Sequence, residues 1–305
     1  MDAEVKYPKD FQEFLEQFKD EESCRKYLFE MRWPNGFVCP NCKSSVKHWL
    51  TAKNIIHCGI CGHQASLTAG TIFHGTRKPL LLWFHIMWWV VAQKTGVSAS
   101  NMMDFMGFGS YKTVWTWLQK IRITMVRPGR DKLFGTVEIG ETTDICSEKP
   151  EVKTLVIIAT ECKGKKIGRV RFLCMREARP EKLIPFIKNN IKQGSTVIIS
   201  EWVGKASLWR TNEYKCEIKN RSGSGKDSQE LLPRVNLVRS LVKKWLQGTH
   251  QGKVSPKYLP YYLDEFAFRF NKKISTNRGW LFYKLIQQAI DIGRVDINEI
   301  TGKTT

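Results

Sequence analysis

The fold is decided between residues 136 and 200, where four short β-branched runs read TVEIG (136–140), TLVIIAT (154–160), GRVRFLCM (168–175) and STVIIS (195–200). Each run has the length and composition typical of a β-strand. Apolar residues at helical spacing over 180–192 predict a helix between the third and fourth runs. Another strand-like run and two long helical patterns follow, at YKCEIKN (214–220), 230–247 and 256–290. Strands in hairpin order followed by alternating helix and strand predict a mixed α/β layer fold.

The composition limits the classes to which the protein can belong. The chain has 305 residues, and 49 Lys and Arg against 29 Asp and Glu leave a formal net charge of +20. A hydrophobic content of 42% predicts a folded core and excludes a wholly disordered chain. At this length we expect about two domains. The excess positive charge indicates a polyanionic partner, either nucleic acid or an anionic membrane surface.

The longest apolar stretch, LLLWFHIMWWVVA (80–92), predicts a buried helix. Its 13 residues are too few to span a bilayer, which takes roughly 20. The N-terminus, MDAEVKYPKDFQEF, lacks the apolar core of a signal peptide. We therefore expect an intracellular protein without a membrane partner.

Four of the nine cysteines form two C-x-x-C pairs, Cys39-Pro-Asn-Cys42 and Cys58-Gly-Ile-Cys61. Such a turn places two sulfurs on one ion, and zinc prefers four tetrahedral thiolate ligands. The spacing between the pairs is typical of a zinc ribbon, so we expect these residues to bind a structural Zn²⁺. The alternative is four unrelated buried or redox cysteines.

Helical patterns at about 80–93, 97–106 and 110–126 resemble a helix-turn-helix unit. Ser98 and Ser110 are the expected N-caps of the last two helices. The third helix would read the major groove from its N-terminal residues. The alternative is a three-helix packing unit without groove contact. The DNA-binding residues expected in this helix are Lys112, Thr113, Gln119 and Lys120.

Shifts in pattern along the chain predict five parts. They are N-terminal helices at 1–35, a zinc ribbon at 36–75, a helix-turn-helix-like module at 76–127, an α/β domain at 132–292 and a tail at 293–305. A Pro-Gly-Arg segment, 128–130, is the expected linker into the α/β domain.

Four blocks carry a family resemblance: the ribbon, SYKTVWTWL (110–118), GTVEIGET (135–142) and KKWLQGTHQGKVSPKYLPYYLDEFAFRFNKK (243–273). Together they look like Merlin-type transposases and the related bacterial insertion-sequence transposases, over about residues 12 to 292. The resemblance implies a zinc ribbon followed by a catalytic RNase H-like DDE domain, which cuts DNA with two metal ions. Such ions activate the attacking oxygen and stabilise the leaving oxygen. Mg²⁺ or Mn²⁺ would require carboxylate ligands.

At both positions where the resemblance implies a catalytic Asp, this sequence carries another residue. Relatives read VEVDET in the first strand, and this chain reads VEIGET (137–142), so Gly140 stands at the Asp position. Relatives resemble TDGW at the end of the fourth strand, and this chain reads ISEW (199–202), so Ser200 stands at the second. The third position, on the later helix, is retained as Asn236, and Lys243 follows on that helix.

Three nearby glutamates are candidates to replace the missing carboxylates: Glu138, Glu141 and Glu201. Glu138 shares a strand face with Gly140 but lies one pleat repeat away, about 6–7 Å. Glu141 lies on the opposite face, and Glu201 is one residue beyond the expected position. Because a metal pair tolerates little displacement, we expect an inactive nuclease site. A site rebuilt from these glutamates is the alternative.

Basic residues of the C-terminal blocks are candidate phosphate contacts. Some of them lie near helix C-termini, where the helix macrodipole alone favours a positive charge. The DNA-binding residues expected in this part are Lys243, Lys244, Lys253 and Arg269.

These features predict a transposase-derived DNA-binding protein without nuclease activity, associated with DNA inside the cell and nuclear if the source is eukaryotic. Zinc is the expected cofactor and DNA the expected partner, and a homo-oligomer is compatible with the sequence. Two alternatives stay open. One is an active DNA transposase with a rearranged acidic site that uses Mg²⁺ or Mn²⁺. The other is a zinc-ribbon protein-interaction scaffold that ignores DNA.

Overall fold

The computed structural model describes residues 7–93, 95–126, 129–145, 154–175, 179–200, 213–219, 231–252, 254–272 and 277–301. The chain forms two compact units. One comprises Met1–Pro128 with Ser275–Thr305, and the other comprises Gly129–Ile274. Among the described residues, none of the helices combines the length and hydropathy needed to cross a bilayer.

The first unit begins with two short helices, α1 (Phe11–Gln17) and α2 (Glu21–Arg32). Each starts at an aspartate, Asp10 or Asp20, whose side chain accepts a hydrogen bond from a backbone N–H of the first turn. This capping satisfies amide groups that lack a partner inside the helix. A small antiparallel sheet follows, made of β1 (His48–Leu50), β2 (Ile55–Cys58) and β3 (Gln64–Ser66).

Three further helices of this unit are α3 (Leu80–Ala92), α4 (Ala99–Met106) and α5 (Tyr111–Thr124). Helix α3 is largely buried, as its apolar sequence predicts. Ser98 caps α4 by accepting a hydrogen bond from the Asn101 N–H, as expected. Ser110 lies at the N-cap position of α5, but its side chain makes no capping hydrogen bond, so that expectation is corrected.

The chain returns to the first unit at its C-terminal end, with α9 (Arg278–Asp291) and α10 (Ile297–Thr301). Helix α9 packs against α3 through a face that includes Phe282, Leu285 and Ile286, all fully buried. This packing explains a difference from the domain bounds expected from sequence. The α/β domain was expected to reach residue 292, whereas the compact α/β unit ends at Ile274.

The second unit is built on five strands, β4 (Thr136–Thr142), β5 (Leu155–Lys163), β6 (Lys166–Met175), β7 (Thr196–Ser200) and β8 (Lys215–Lys219). The sheet order is β6-β5-β4-β7-β8. Strands β4, β5 and β6 pair antiparallel, and β7 and β8 add in parallel on the other side of β4. The predicted mixed α/β class is therefore confirmed.

Helices cover both faces of this sheet. Helix α6 (Pro180–Asn190) packs on one face, where Ile157 and Ala159 of β5 belong to the core. Helices α7 (Pro233–His250) and α8 (Leu259–Asn271) pack on the other, where Val156 and Ile158 belong to a second core. The alternation along β5 follows from the two-residue period of a strand. Because both faces are buried, these strands read as nearly continuous apolar runs.

Candidate functional site

The two C-x-x-C pairs meet in the first unit. The Sγ atoms of Cys39 and Cys61 lie 3.7 Å apart, and those of Cys42 and Cys58 lie 3.6 Å apart. All four sulfurs fall within 4.8 Å of one another. A tetrahedral zinc site with Zn–S bonds of about 2.3 Å has sulfur–sulfur edges of about 3.8 Å, so the four thiols fit one Zn²⁺. This supports the expected structural zinc.

Backbone turns hold the sulfurs in place. The N–H of Lys43 donates to the carbonyl of Cys39 and the N–H of Gly62 to that of Cys58, which closes both knuckles. Hydrogen bonds from the backbone N–H of His63 and from the side-chain amide of Asn41 lower the pKa of the Cys61 thiol to about 6. Metal binding requires the thiolate, so the lowered pKa favours Cys61 as a ligand.

Gly59 is required by the tight packing of the second knuckle. A Cβ at this position would lie 2.7 Å from the Lys47 carbonyl oxygen. Only glycine fits so close to that backbone.

The N-terminal turn of α5 is exposed, whereas most of its later residues are buried. Lys112 is exposed and Thr113 is partly exposed. Gln119 is fully buried, so it cannot contact DNA in this conformation, which corrects that expectation. Lys120 is partly buried, and this burial lowers the pKa of its ammonium. The sequence pattern did not show that Gln119 also lies on the buried face of α5.

The basic residues expected at the C-terminal blocks also differ in availability. Lys244 is exposed on α7. Lys243 donates to Asp144 at 2.7 Å. Arg269 lies within an ion pair at 2.7 Å with buried Glu265, and its side chain is only 14% exposed. Arg269 therefore neutralises a buried carboxylate, and its phosphate contact stays a prediction. Lys253 lies outside the described residues.

The two positions of the missing aspartates lie side by side in the second unit. Strands β4 and β7 are parallel neighbours, with Ile139 opposite Ile199. Extended by one residue, this register brings Gly140, two residues before the end of β4, beside Ser200, the last residue of β7. Asn236 lies on α7, the helix that packs on β4, and it is partly exposed.

The space where a side chain would project from Gly140 is filled by apolar groups. A Cβ there would lie 3.0 Å from Leu232 Cδ1 and 3.0 Å from Val235 Cγ1. Such distances are shorter than ordinary van der Waals contacts. Both apolar residues belong to the start of α7, which packs on β4. The structure thus places aliphatic side chains where the family implies a carboxylate.

Glu138 is already committed to the start of α7. Its carboxylate accepts hydrogen bonds from the Arg234 N–H at 2.9 Å and the Val235 N–H at 3.3 Å. It also accepts from the Arg234 guanidinium at 2.6 Å, and its side chain is only 3% exposed. Leu232, at the N-cap position, has no side chain that could cap the helix. Glu138 therefore acts as a remote helix cap.

Glu141 makes a contact that joins the two central strands. The Ser200 hydroxyl donates a hydrogen bond to its carboxylate. The residue at the second missing-Asp position therefore contacts one of the candidate substitutes directly. Glu201, the third candidate, lies outside the described residues.

Asp144 is a further carboxylate near this end of β4, and the sequence pattern did not single it out. It lies two residues after β4 and accepts hydrogen bonds from Arg239 Nε at 2.9 Å and Lys243 Nζ at 2.7 Å. Partial burial opposes ionisation of Asp144, but hydrogen bonds from Arg239, Lys243 and Thr142 outweigh it and hold the pKa of the carboxyl well below its usual range. The sequence shows a carboxyl residue just after a strand, but its partners lie about a hundred positions away and could not be identified from it.

Among the described residues, these carboxylates do not cluster in a group of three or more that could hold an ion. Within the described part of the chain, the four cysteines are the one group of three or more His, Cys, Asp or Glu whose ligand atoms come close enough to hold an ion. A catalytic Mg²⁺ or Mn²⁺ pair needs convergent oxygen ligands. The described residues therefore fit Zn²⁺ at the ribbon, and no comparable cluster of ligands is found among the described residues beside Gly140.

Two protein families match the chain. Residues 19–64 match a transposase zinc-ribbon domain of the IS1595 type, and residues 135–271 match an ISXO2-like transposase domain. The first match contains all four clustered cysteines. The second covers the five-stranded sheet together with α6, α7 and α8, and hence both missing-Asp positions.

A curated relative comes from Halobacterium salinarum and is described as an uncharacterized protein in transposable element ISH50. It is 26% identical over 130 residues, which is 42% of this chain and 43% of the relative. The matched part thus spans less than half of that relative's length. No solved structure matches the chain. Together the two domain matches and the geometry show that the chain is similar to transposases in which an IS1595-type zinc ribbon precedes an ISXO2-like transposase domain.

Proposed function

We propose that this protein is a transposase-derived DNA-binding protein that does not cut DNA. The observation that carries the proposal is the apolar filling at Gly140. Leu232 and Val235 occupy the space that a catalytic carboxylate would need, each 3.0 Å from the position that a Cβ on that glycine would take. A carboxylate inserted there would lose its hydration without gaining a partner.

The neighbouring carboxylates support the same conclusion because each has another partner. Glu138 caps α7 and pairs with Arg234. Glu141 accepts from Ser200. Asp144 pairs with Arg239 and Lys243 on α7. To bind a divalent metal ion, each group would first have to give up these charge-assisted bonds, which are the stronger kind of hydrogen bond.

DNA binding is supported by charge and domain composition. The net charge of +20 attracts a polyanion, and both matched domains are transposase domains. Lys112 and Lys244 are exposed and are the best-placed of the expected contacts. The proposal includes a location with DNA inside the cell, in the nucleus for a eukaryotic source. A homo-oligomer is compatible with it.

An equilibrium titration of duplex DNA at several salt concentrations tests binding. Because bound Lys and Arg release condensed counterions, the logarithm of the affinity should fall linearly with the logarithm of salt concentration. Absence of affinity at low salt would favour the protein-interaction scaffold and contradict the proposal.

A Mn²⁺ titration followed by electron paramagnetic resonance tests the absence of a catalytic metal pair. We expect the zinc-loaded protein to bind no Mn²⁺ at the sheet. Tight Mn²⁺ binding that disappears in Glu141→Gln or Glu201→Gln would establish the rearranged acidic site of an active transposase.

A further inference from the structure

A second concave site lies in the α/β unit, apart from the residues discussed so far. It has a cavity volume of about 410 Å³. Thr154 and Met175 line it at the β5–β6 end of the sheet, where Leu155 pairs with Met175. Arg179 and Lys182 line it from the start of α6, and Lys257 from the approach to α8.

The charged residues that the structure describes around this cavity are all basic. Three of its lining residues, Arg179, Lys182 and Lys257, are basic and exposed at the surface. No carboxylate is among the described residues that line it. Glu181 lies in the first turn of α6 but does not line the cavity. Cations clustered around one cavity favour an anionic ligand.

Two helices begin at the cavity. Arg179 is the N-cap residue of α6, and Pro260 lies in the first turn of α8. Neither helix has a side-chain hydrogen bond at its N-cap. The N-terminus of a helix carries a partial positive charge, which favours an anion.

An independent observation also indicates a ligand. Thr154 is only 4% exposed, and its hydroxyl has no hydrogen-bond partner among the described residues. Buried polar groups in folded proteins are almost always paired. A hydroxyl left unpaired at the wall of a basic cavity is a ready donor to a ligand oxygen.

We propose that this cavity binds a phosphate group, and that the group belongs to the backbone of bound DNA. A phosphate offers the oxygens that a guanidinium, two ammonium groups and a hydroxyl can share. The apolar walls at Met175, Pro256 and Pro260 suit the adjacent sugar. The DNA assignment rests on the proposed function, whereas phosphate binding itself does not.

The cavity lies at the sheet end that also carries Gly140 and Ser200. Val156 of β5 pairs with Thr142 at the end of β4, and Leu155 pairs with Met175 at the end of β6. Strand β6 is two places from β4, which is about 10 Å at a spacing of roughly 4.8 Å. A backbone phosphate in the cavity would therefore lead the DNA past the two missing-Asp positions.

Lys182→Gln and Lys165→Gln form a matched pair for testing the DNA contact. Both lysines are exposed in the α/β unit, but Lys165 lies in the β5–β6 turn, at the opposite end of the sheet. In the full zinc-loaded chain, Lys182→Gln should weaken duplex DNA binding several-fold and reduce the salt slope by about 0.9. Lys165→Gln should leave both unchanged. Equal effects of the two variants would overturn the DNA assignment.

Thr154→Val is a second variant, in which weaker phosphate binding could not be explained by misfolding. It replaces an unpaired buried hydroxyl by a methyl group of the same shape, so stability should stay the same or rise. In the wild type, inorganic phosphate should bind saturably at constant ionic strength, and both Thr154→Val and Lys182→Gln should bind it several-fold more weakly. A wild type that does not bind phosphate saturably would overturn the phosphate site.

The two titrations separate this inference from the proposed function. A wild type without affinity for DNA but with saturable phosphate binding would contradict the proposed function and retain the phosphate site. A wild type that binds DNA, with an affinity that Lys182→Gln leaves unchanged, would contradict the inference alone.

Discussion

A Cβ on Gly140 would lie against Val235, so substitutions at the two positions should have coupled effects on stability. Gly140→Asp should lower the free energy of unfolding by about 1–3 kcal/mol from overpacking alone. Val235→Ala should recover part of that loss in the double variant, because it removes the Cγ1 atom that lies 3.0 Å from the new Cβ. Urea denaturation of the double-mutant cycle measures the coupling. Strictly additive effects would mean that Val235 does not fill the Asp position.

Glu138 should be essential for stability and not for catalysis. Glu138→Gln removes the negative charge and replaces one of the two acceptor oxygens, shared by Arg234 and two helix N–H groups, with an amide donor, so it should cost about 2–4 kcal/mol of unfolding free energy. Glu217 offers the control, because its side chain is 54% exposed beside Lys219. Glu217→Gln should change stability by less than about 0.5 kcal/mol. Equal losses in the two variants would contradict the capping role.

Asp264 should give the α/β unit a stability that falls as pH rises. Burial raises the pKa of its carboxyl to about 7, and Arg130 opposes the rise only partly. The folded state therefore keeps this proton over a range in which the unfolded chain, with a pKa near 3.8, has lost it. The resulting cost grows from about pH 4 to pH 7 and is then constant.

Asp264→Asn removes that titration. Its unfolding free energy should gain on the wild type as pH rises from 4 to 7, measured by urea denaturation at each pH. A difference between the two proteins that stays constant over this range would show that the pKa of Asp264 is not raised.

At the residue scale, sequence spacing found the four cysteines because local C-x-x-C turns fix their geometry. It did not find Asp144, whose partners Arg239 and Lys243 come from a helix far along the chain. It also placed Gln119 among the exposed residues of α5, although tertiary packing buries that side chain. Local chemistry was readable from the sequence, and long-range pairing was not.

At the scale of elements, the zinc ribbon should depend on its ion. The strands β1 to β3 are short and pack little apolar surface, so the metal must supply much of their stability. A strong chelator should remove about one zinc per chain and abolish the ordered amide signals of residues 39–66 in nuclear magnetic resonance spectra. Signals of the β4–β8 sheet should remain.

Two single cysteine variants give the matched control for zinc. Cys58→Ser should lower the bound zinc measured by a colorimetric assay, because Cys58 belongs to the sulfur cluster. Cys162→Ser should leave it unchanged, because Cys162 lies on β5 outside that cluster. Loss of zinc in both variants would contradict a local four-cysteine site.

The positions of the strands could be predicted closely from the sequence, but the caps at which α3 and α7 start could not. The strands β4 to β7 coincide with the β-branched runs because both faces of the sheet are buried. Helix α3 starts at Pro79–Leu80, and α7 starts at Leu232–Pro233, without caps of their own. Glu21 caps α3 from α2, and Glu138 caps α7 from β4. Such remote caps carry no local sequence signal.

At the scale of the whole molecule, the net charge and the replaced acidic residues lead to one prediction about function. The chain has a net charge of +20, and it matches both a transposase zinc ribbon and an ISXO2-like transposase domain. The sheet that would present two aspartates presents Gly140 and Ser200 in their place. Binding to DNA should therefore be retained, and cutting should be lost.

The most direct test measures both properties on one sample of supercoiled plasmid. The full zinc-loaded chain is added to saturation in Mg²⁺ or Mn²⁺, bound plasmid is measured by mobility shift, and the protein is then removed to score nicked and linear forms. We expect the plasmid to be bound and to stay fully supercoiled. Metal-dependent nicking that is abolished by Glu141→Gln or Glu201→Gln would contradict this expectation.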